Sequence, residues 1–153
     1  MNVTAGFRLA ISTLIFASAG TAVAQDTTDD AADVILTIEE QWERVQDGDT
    51  DWLDEELLDR FSGWPSHAPA PRSKASTGKW NRFFETQRKM VEHELFFQNI
   101  VIHGDVAVAH YFYTSASEDK NGDVEVDNGR YTDVLVRTED GWKFLAWHGG
   151  DDD

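Results

Sequence analysis

The sequence predicts an α+β domain in which helices come first and an antiparallel sheet follows. Three observations predict it. Apolar residues at Val34, Ile35, Ile38, Trp42 and Val45 recur at helical spacing. All three prolines, Pro65, Pro69 and Pro71, fall in one stretch and so stiffen an irregular loop between the second and third helical segments. Finally, the run from Gly129 to His148 carries Glu139-Asp140-Gly141 between β-rich stretches, and Asp-Gly in that setting is a strong hairpin signal.

The elements follow in order. Residues 1–24 read as a signal peptide: Arg8, an apolar run from Leu9 to Ala17, then Ala22-Val23-Ala24 before Gln25. The run is too short to span a bilayer comfortably. The expectation is an exported protein, periplasmic or secreted, with no membrane contact after processing. Residues 25–32 are polar and acidic and read as a flexible lead-in. The folded domain is expected over 33–150, with an acidic tail at 151–153. A first helix spans about 31–46 and stops at Gly48. A second is expected to run to about Phe61, with Leu53, Leu57, Leu58 and Phe61 on its inner stripe. The proline loop carries Trp64, His67 and Arg72, and serves as a pocket rim or as a plain connector with Trp64 in the core. A third helix is expected over 74–90, burying Trp80, Phe83 or Phe84, and Met90. Four sequential strands complete the chain: 95–103, 106–115, and the two arms of the closing hairpin, with turns at Gly104-Asp105 and 119–122. The helices should cover one face of a curved sheet.

Composition narrows the function. The chain has 153 residues, a formal charge of −16 and no cysteine. The charge argues against nucleic acid and anionic lipid as partners. The absence of cysteine removes thiol nucleophiles and thiolate metal sites. Five histidines raise a metal, but none are spaced as a local ligand pair on a helix or strand, so no metal and no cofactor is expected.

The order of elements resembles the nuclear transport factor 2-like superfamily, including SnoaL-like cyclases and ketosteroid isomerases. The resemblance rests on Trp42 before Gly48-Asp49, and on Gly129-Arg130-Tyr131-Thr132-Asp133, Asp140-Gly141-Trp142-Lys143 and Trp147-His148. It covers about 33–150. It implies a cone-shaped, cystatin-like fold: N-terminal helices packed in a curved four-stranded antiparallel sheet, with a pocket at the wide end and commonly a homodimer. The superfamily's steroid isomerases use a carboxylate base, a tyrosine and a protonated acid. Their base position falls near Trp64-Pro65 here and their tyrosine near Gln41-Trp42. Asp133 alone keeps an acid, so steroid isomerisation is not expected.

Alternation sorts the candidate residues. In the last strand Trp142, Phe144, Ala146 and His148 share a face, so His148 is expected inside with the core. In the second strand His110 and Phe112 share the inner face, while Tyr111 and Tyr113 face outward, where a second subunit would cover them. For the third strand both faces mix polar and apolar residues. The resemblance tilts Asp133 inward. An inward Arg130 would instead favour an anionic ligand, and a regular strand cannot turn both inward.

The expected function is therefore binding of a small apolar or weakly anionic molecule in a pocket lined by Trp42, Trp64, Trp80, His110, Phe112, Arg130, Tyr131 and Phe144. One alternative is a cofactor-free lyase or isomerase with Asp133 and His148 as the acid/base pair. The other is a structural dimer domain with a filled cone.

Overall fold

The structure, a computed structural model, describes residues 22–152. The expected signal peptide lies almost wholly outside the described residues. The elements are α1 (Ala22–Asp47), α2 (Trp52–Glu55), β1 (Leu57–Pro65), β2 (Arg72–Ser73), α3 (Lys74–Glu85), β3 (Arg88–His103), β4 (Val106–Asp119), β5 (Val124–Thr138) and β6 (Gly141–Asp151). The strands form one sheet in the order β2-β1-β6-β5-β4-β3.

The α+β class holds and α1 and α2 precede the sheet, but β1 and β2 come before α3, and the sheet has six strands rather than four. The difference lies in 57–73. Leu57 and Phe61 are four apart, which suits a helical stripe. The helix instead ends at Glu55, and both residues are buried from β1, which pairs in parallel with β6. Pairing with a strand about eighty residues away leaves no local trace in the sequence. α1 also starts earlier than expected and runs through the stretch read as a lead-in; its Asp30 sits 2.5 Å from Arg137 of β5.

α1 lies along the inner face of the sheet. Near its start Asp30 meets Arg137, and near its end Gln46 Oε1 lies 2.7 Å from His93 Nδ1 on β3. Between these anchors Val34, Ile38 and Trp42 are buried in one core with Leu53, Phe61, Leu135 and Phe144. The small Ala107 and Ala109 of β4 belong to the same core and are fully buried. Arg44 ties α1 to the next turn through Asp49, Glu55 and Glu56.

Bulges bend the sheet and fix which residues face inward. On β3 the pairing skips Val91 and Gln98. On β6, Leu135 pairs with Phe144 while Val134 pairs with Ala146, so Leu145 is the extra residue. The closing hairpin turns where expected, at Gly141 with φ of 101°.

Candidate functional site

The inner side of the sheet, α1 and α3 border a part-open hollow with two adjoining parts. Its outer part has a volume of about 640 Å³ and its inner part about 180 Å³. Trp42, Val45, Asn81, Met90, Tyr131 and Trp147 line both, so the two parts share a wall. Asp133 and Tyr111 line the inner part alone.

Asp133 is 1% exposed. Tyr111 donates its phenol to Asp133 Oδ2 at 2.8 Å, and Trp42 Nε1 donates to the Tyr111 oxygen at 3.2 Å. Asp133 Oδ1 is buried without a partner. A carboxylate taken out of water with one oxygen unsatisfied is costly, so the proton is held more tightly than in water. Burial accordingly pushes the Asp133 carboxyl up to about 7, against the opposing pull of the Tyr111 hydrogen bond. Burial and the neighbouring Asp133 together hold the Tyr111 phenol well above its ordinary range. The inner chamber therefore holds one acid poised between its two protonation states at neutral pH, walled by Trp42, Trp52, Tyr131 and Trp147.

The outer part is more mixed. Tyr113 donates to Asp151 Oδ1 at 2.6 Å. Arg72, Arg88, Lys89, Glu85, Asp127 and His67 also line it. One stripe of α3, Thr77, Asn81 and Glu85, follows helical spacing and lines the same wall. Each of the three has a buried side-chain oxygen without a partner. Burial raises the Glu85 carboxyl above its usual value.

Of the residues expected at the site, Asp133, Trp42 and Tyr131 line the hollow, and Trp80 stands at its edge while 44% exposed. The others do not reach it. Phe144 is fully buried in the core beneath. His148 is exposed on the opposite face, beside Trp64 in T-shaped contact at 5.9 Å. The Leu145 bulge is the cause: it shifts the alternation by one, so Trp147 turns inward opposite Asp133 and His148 turns out opposite Thr132. The expected Asp133–His148 pair does not form. Trp64 is likewise outward, its Nε1 bonded to the Ala68 carbonyl at 2.9 Å.

On β4 the faces are reversed from expectation. Tyr111 and Tyr113 are buried, while His110 and Phe112 are exposed, His110 lying 2.9 Å from the Thr132 hydroxyl. Both faces of that strand alternate cleanly, and packing under α1 decides between them; Tyr111 and Tyr113 reach Trp42 with ring separations of 6.5 and 5.0 Å. Arg130 is outward and pairs with Asp152 at 3.2 Å. With Asp133 inward, that is the choice a regular strand permits. The α3 aromatics were expected inside, but Trp80, Phe83 and Phe84 are exposed; Trp80 and Phe84 only border the hollow, beside the polar stripe.

Sequence reasoning missed Tyr111, Trp147 and Asn81. Tyr111 was visible as a strand aromatic two residues from Tyr113, whereas Trp147 was hidden by the bulge. Among the described residues no group of three or more His, Cys, Asp or Glu could hold a metal ion.

A curved, unclosed sheet around a long helix, with a hollow on its inner side, is the fold of solved nuclear transport factor 2-like structures. Residues 70–151 match the model of the calcium/calmodulin dependent protein kinase II association domain. That match takes in just over half of the chain, and the chain belongs to this family. Solved structures agree on the fold. A conserved protein from Planctomyces limnophilus is similar with a TM-score of 0.72 at 14% identity, over 82% of this chain and 99% of that one. A ketosteroid isomerase-like protein from Erwinia carotovora atroseptica gives 0.66 at 13% identity, over 80% and 93%. A nuclear transport factor 2-like protein with a cystatin-like fold from Novosphingobium aromaticivorans gives 0.67 at 14%, over 86% and 88%. A comparison with curated proteins found no match.

Proposed function

We propose that this domain binds a small, largely apolar molecule in the hollow, with Asp133 as the polar group that orients it. The observation that carries this reading is the Asp133 carboxyl, buried beside an aromatic-walled chamber with Oδ1 unpartnered. A protonated Asp133 would donate to a ligand carbonyl or hydroxyl, and an ionised one would accept from a hydroxyl. Aromatic walls supply the apolar contact area, and a single convergent polar group fixes the pose. Export from the cell belongs to the same reading, and a mature chain beginning at Gln25 on N-terminal sequencing supports it, whereas a retained Met1 overturns it.

Native mass spectrometry of protein purified from its own host tests the binding. The expected result is a carried small molecule that is lost or weakened in Asp133→Leu. A hollow that is empty in every preparation, and takes up no apolar probe, contradicts it. The lyase or isomerase alternative now rests on Asp133 without His148. A substrate screen in which Asp133→Asn loses turnover and His148→Gln keeps it supports that alternative.

A second reading is favoured by the outer face of the sheet and by the family's name, which describes an association domain. Phe96 and Phe112 face each other across β3 and β4 and are 43% and 45% exposed; Val101 lies further along, opposite Val108. An apolar sheet face of this kind suits a second copy of the chain. Light scattering on Phe112→Asp should then show a monomer where the parent is a homodimer, and a monomeric parent would end this reading.

A further inference from the structure

We propose that the exposed face of α3, at the edge of the hollow, docks on an anionic lipid surface. The α3 aromatics stand beside its polar stripe and remain largely in water. Its polar stripe, Thr77, Asn81 and Glu85, faces the hollow, while Trp80, Phe83 and Phe84 are 44%, 54% and 52% exposed. These three rings stand at positions i, i+3 and i+4, on one side of the helix.

The rings are held in place. The Arg72 guanidinium lies 4.5 Å from the Trp80 ring centre, and Trp80 and Phe83 meet edge to face at 5.9 Å. Ser73 caps the helix start through the Ser76 amide. Lys74 fixes the first turn to the body by donating to the Asp54 and Leu57 carbonyls at 2.8 and 2.7 Å.

Charge selects the occupant. Residues 72–89 contain six of the chain's 13 basic residues and one acid, Glu85, in a chain whose total is −16. Lys79, Arg82 and Lys89 are exposed, and Lys79 precedes Phe83 by one helical turn. The whole-chain charge argues against an anionic surface, but at physiological salt it is screened beyond about 8 Å, so the nearby cations govern close approach. An acidic peptide would satisfy the cations and leave the rings in water, and a neutral apolar partner would do the reverse. An anionic bilayer satisfies both, with rings at interfacial depth and ammonium and guanidinium groups at the headgroups. Trp80 and Phe84 also line the outer hollow, so the docked face lies at its edge.

Flotation of the full chain with vesicles tests this without any ligand in the hollow. Binding is expected to phosphatidylcholine vesicles containing phosphatidylglycerol, to fall with added salt, and to be weak on phosphatidylcholine alone. Phe83→Ser and Lys79→Glu should each weaken it about tenfold with circular dichroism unchanged. No binding to the phosphatidylglycerol vesicles at low salt overturns the proposal, as does binding that both variants leave intact. Equal affinity for a poly-glutamate peptide would reassign the face to an acidic protein. A change of oligomer size in Phe83→Ser without lipid would make it a contact between copies.

Discussion

Tyr111 and Asp133 meet across neighbouring strands, the phenol donating to Asp133 Oδ2 at 2.8 Å while Oδ1 stays unpartnered. The phenol thus satisfies one carboxyl oxygen and leaves the other without a partner. Tyr111→Phe removes the bond that lowers the Asp133 pKa and also the acceptor of Trp42 Nε1. The variant is expected to lose about 1–3 kcal/mol of stability in urea unfolding, with the Asp133 pKa rising further.

Stability should fall between about pH 4 and pH 7 because of Asp133. Its pKa is raised in the folded protein to about 7. Below the unfolded value of about 3.9 both states hold the proton, and Asp133 imposes no penalty. As pH rises the unfolded chain releases the proton first, so the native state loses ground until its own pKa is passed. At about 1.4 kcal/mol per unit the loss is as much as ~4 kcal/mol. Asp133→Asn should therefore gain on the parent protein in urea melts at pH 8 relative to pH 4. A constant difference between the two across that range would count against a raised Asp133.

The Leu145 bulge places Trp147, not His148, opposite Asp133. His148→Ala should leave binding of an apolar probe unchanged, since His148 is exposed on the far face. Trp147→Ala should enlarge the hollow and cost about 3 kcal/mol, because the ring packs on Phe61 at 4.4 Å and on Phe144 at 6.0 Å. Probe titrations and thermal melts of both variants separate the two residues.

Gly63 makes room for that ring. A Cβ there would lie 2.5 Å from Trp147 Nε1 and 2.9 Å from the Phe61 ring. Gly63→Ala should push Trp147 toward the hollow and lower the melting temperature, with a loss of about 1–3 kcal/mol. An unchanged melt would mean that the β1–β6 pairing is looser than the structure has it.

Much of this architecture could be read from the residues. The α1 stripe, the Gly141 hairpin and the general order of elements follow from local periodicity and turn chemistry, which tertiary packing left intact. Asp133 was legible through the resemblance, since alternation in β5 gave two mixed faces. What could not be read depends on partners distant in sequence. Leu57 and Phe61 fit a helix as well as a bulged strand. His148 was assigned by a period that one extra residue, Leu145, interrupts. The orientation of β4 turns on which side α1 covers, and that of α3 on a hollow that accepts polar side chains. The candidate site was therefore half legible: its acid and two of its aromatic walls were found, whereas Tyr111, Trp147 and Asn81 were not.

The central claim is that Asp133 is a buried acid kept near neutrality beside an aromatic-walled hollow. Following the Asp133 carboxyl carbon by NMR across a pH titration of the ligand-free protein tests it most directly. The account predicts a midpoint close to 7 that rises in Tyr111→Phe. A midpoint at about 4, the ordinary carboxylate value, would mean that water solvates this carboxyl and would contradict the account.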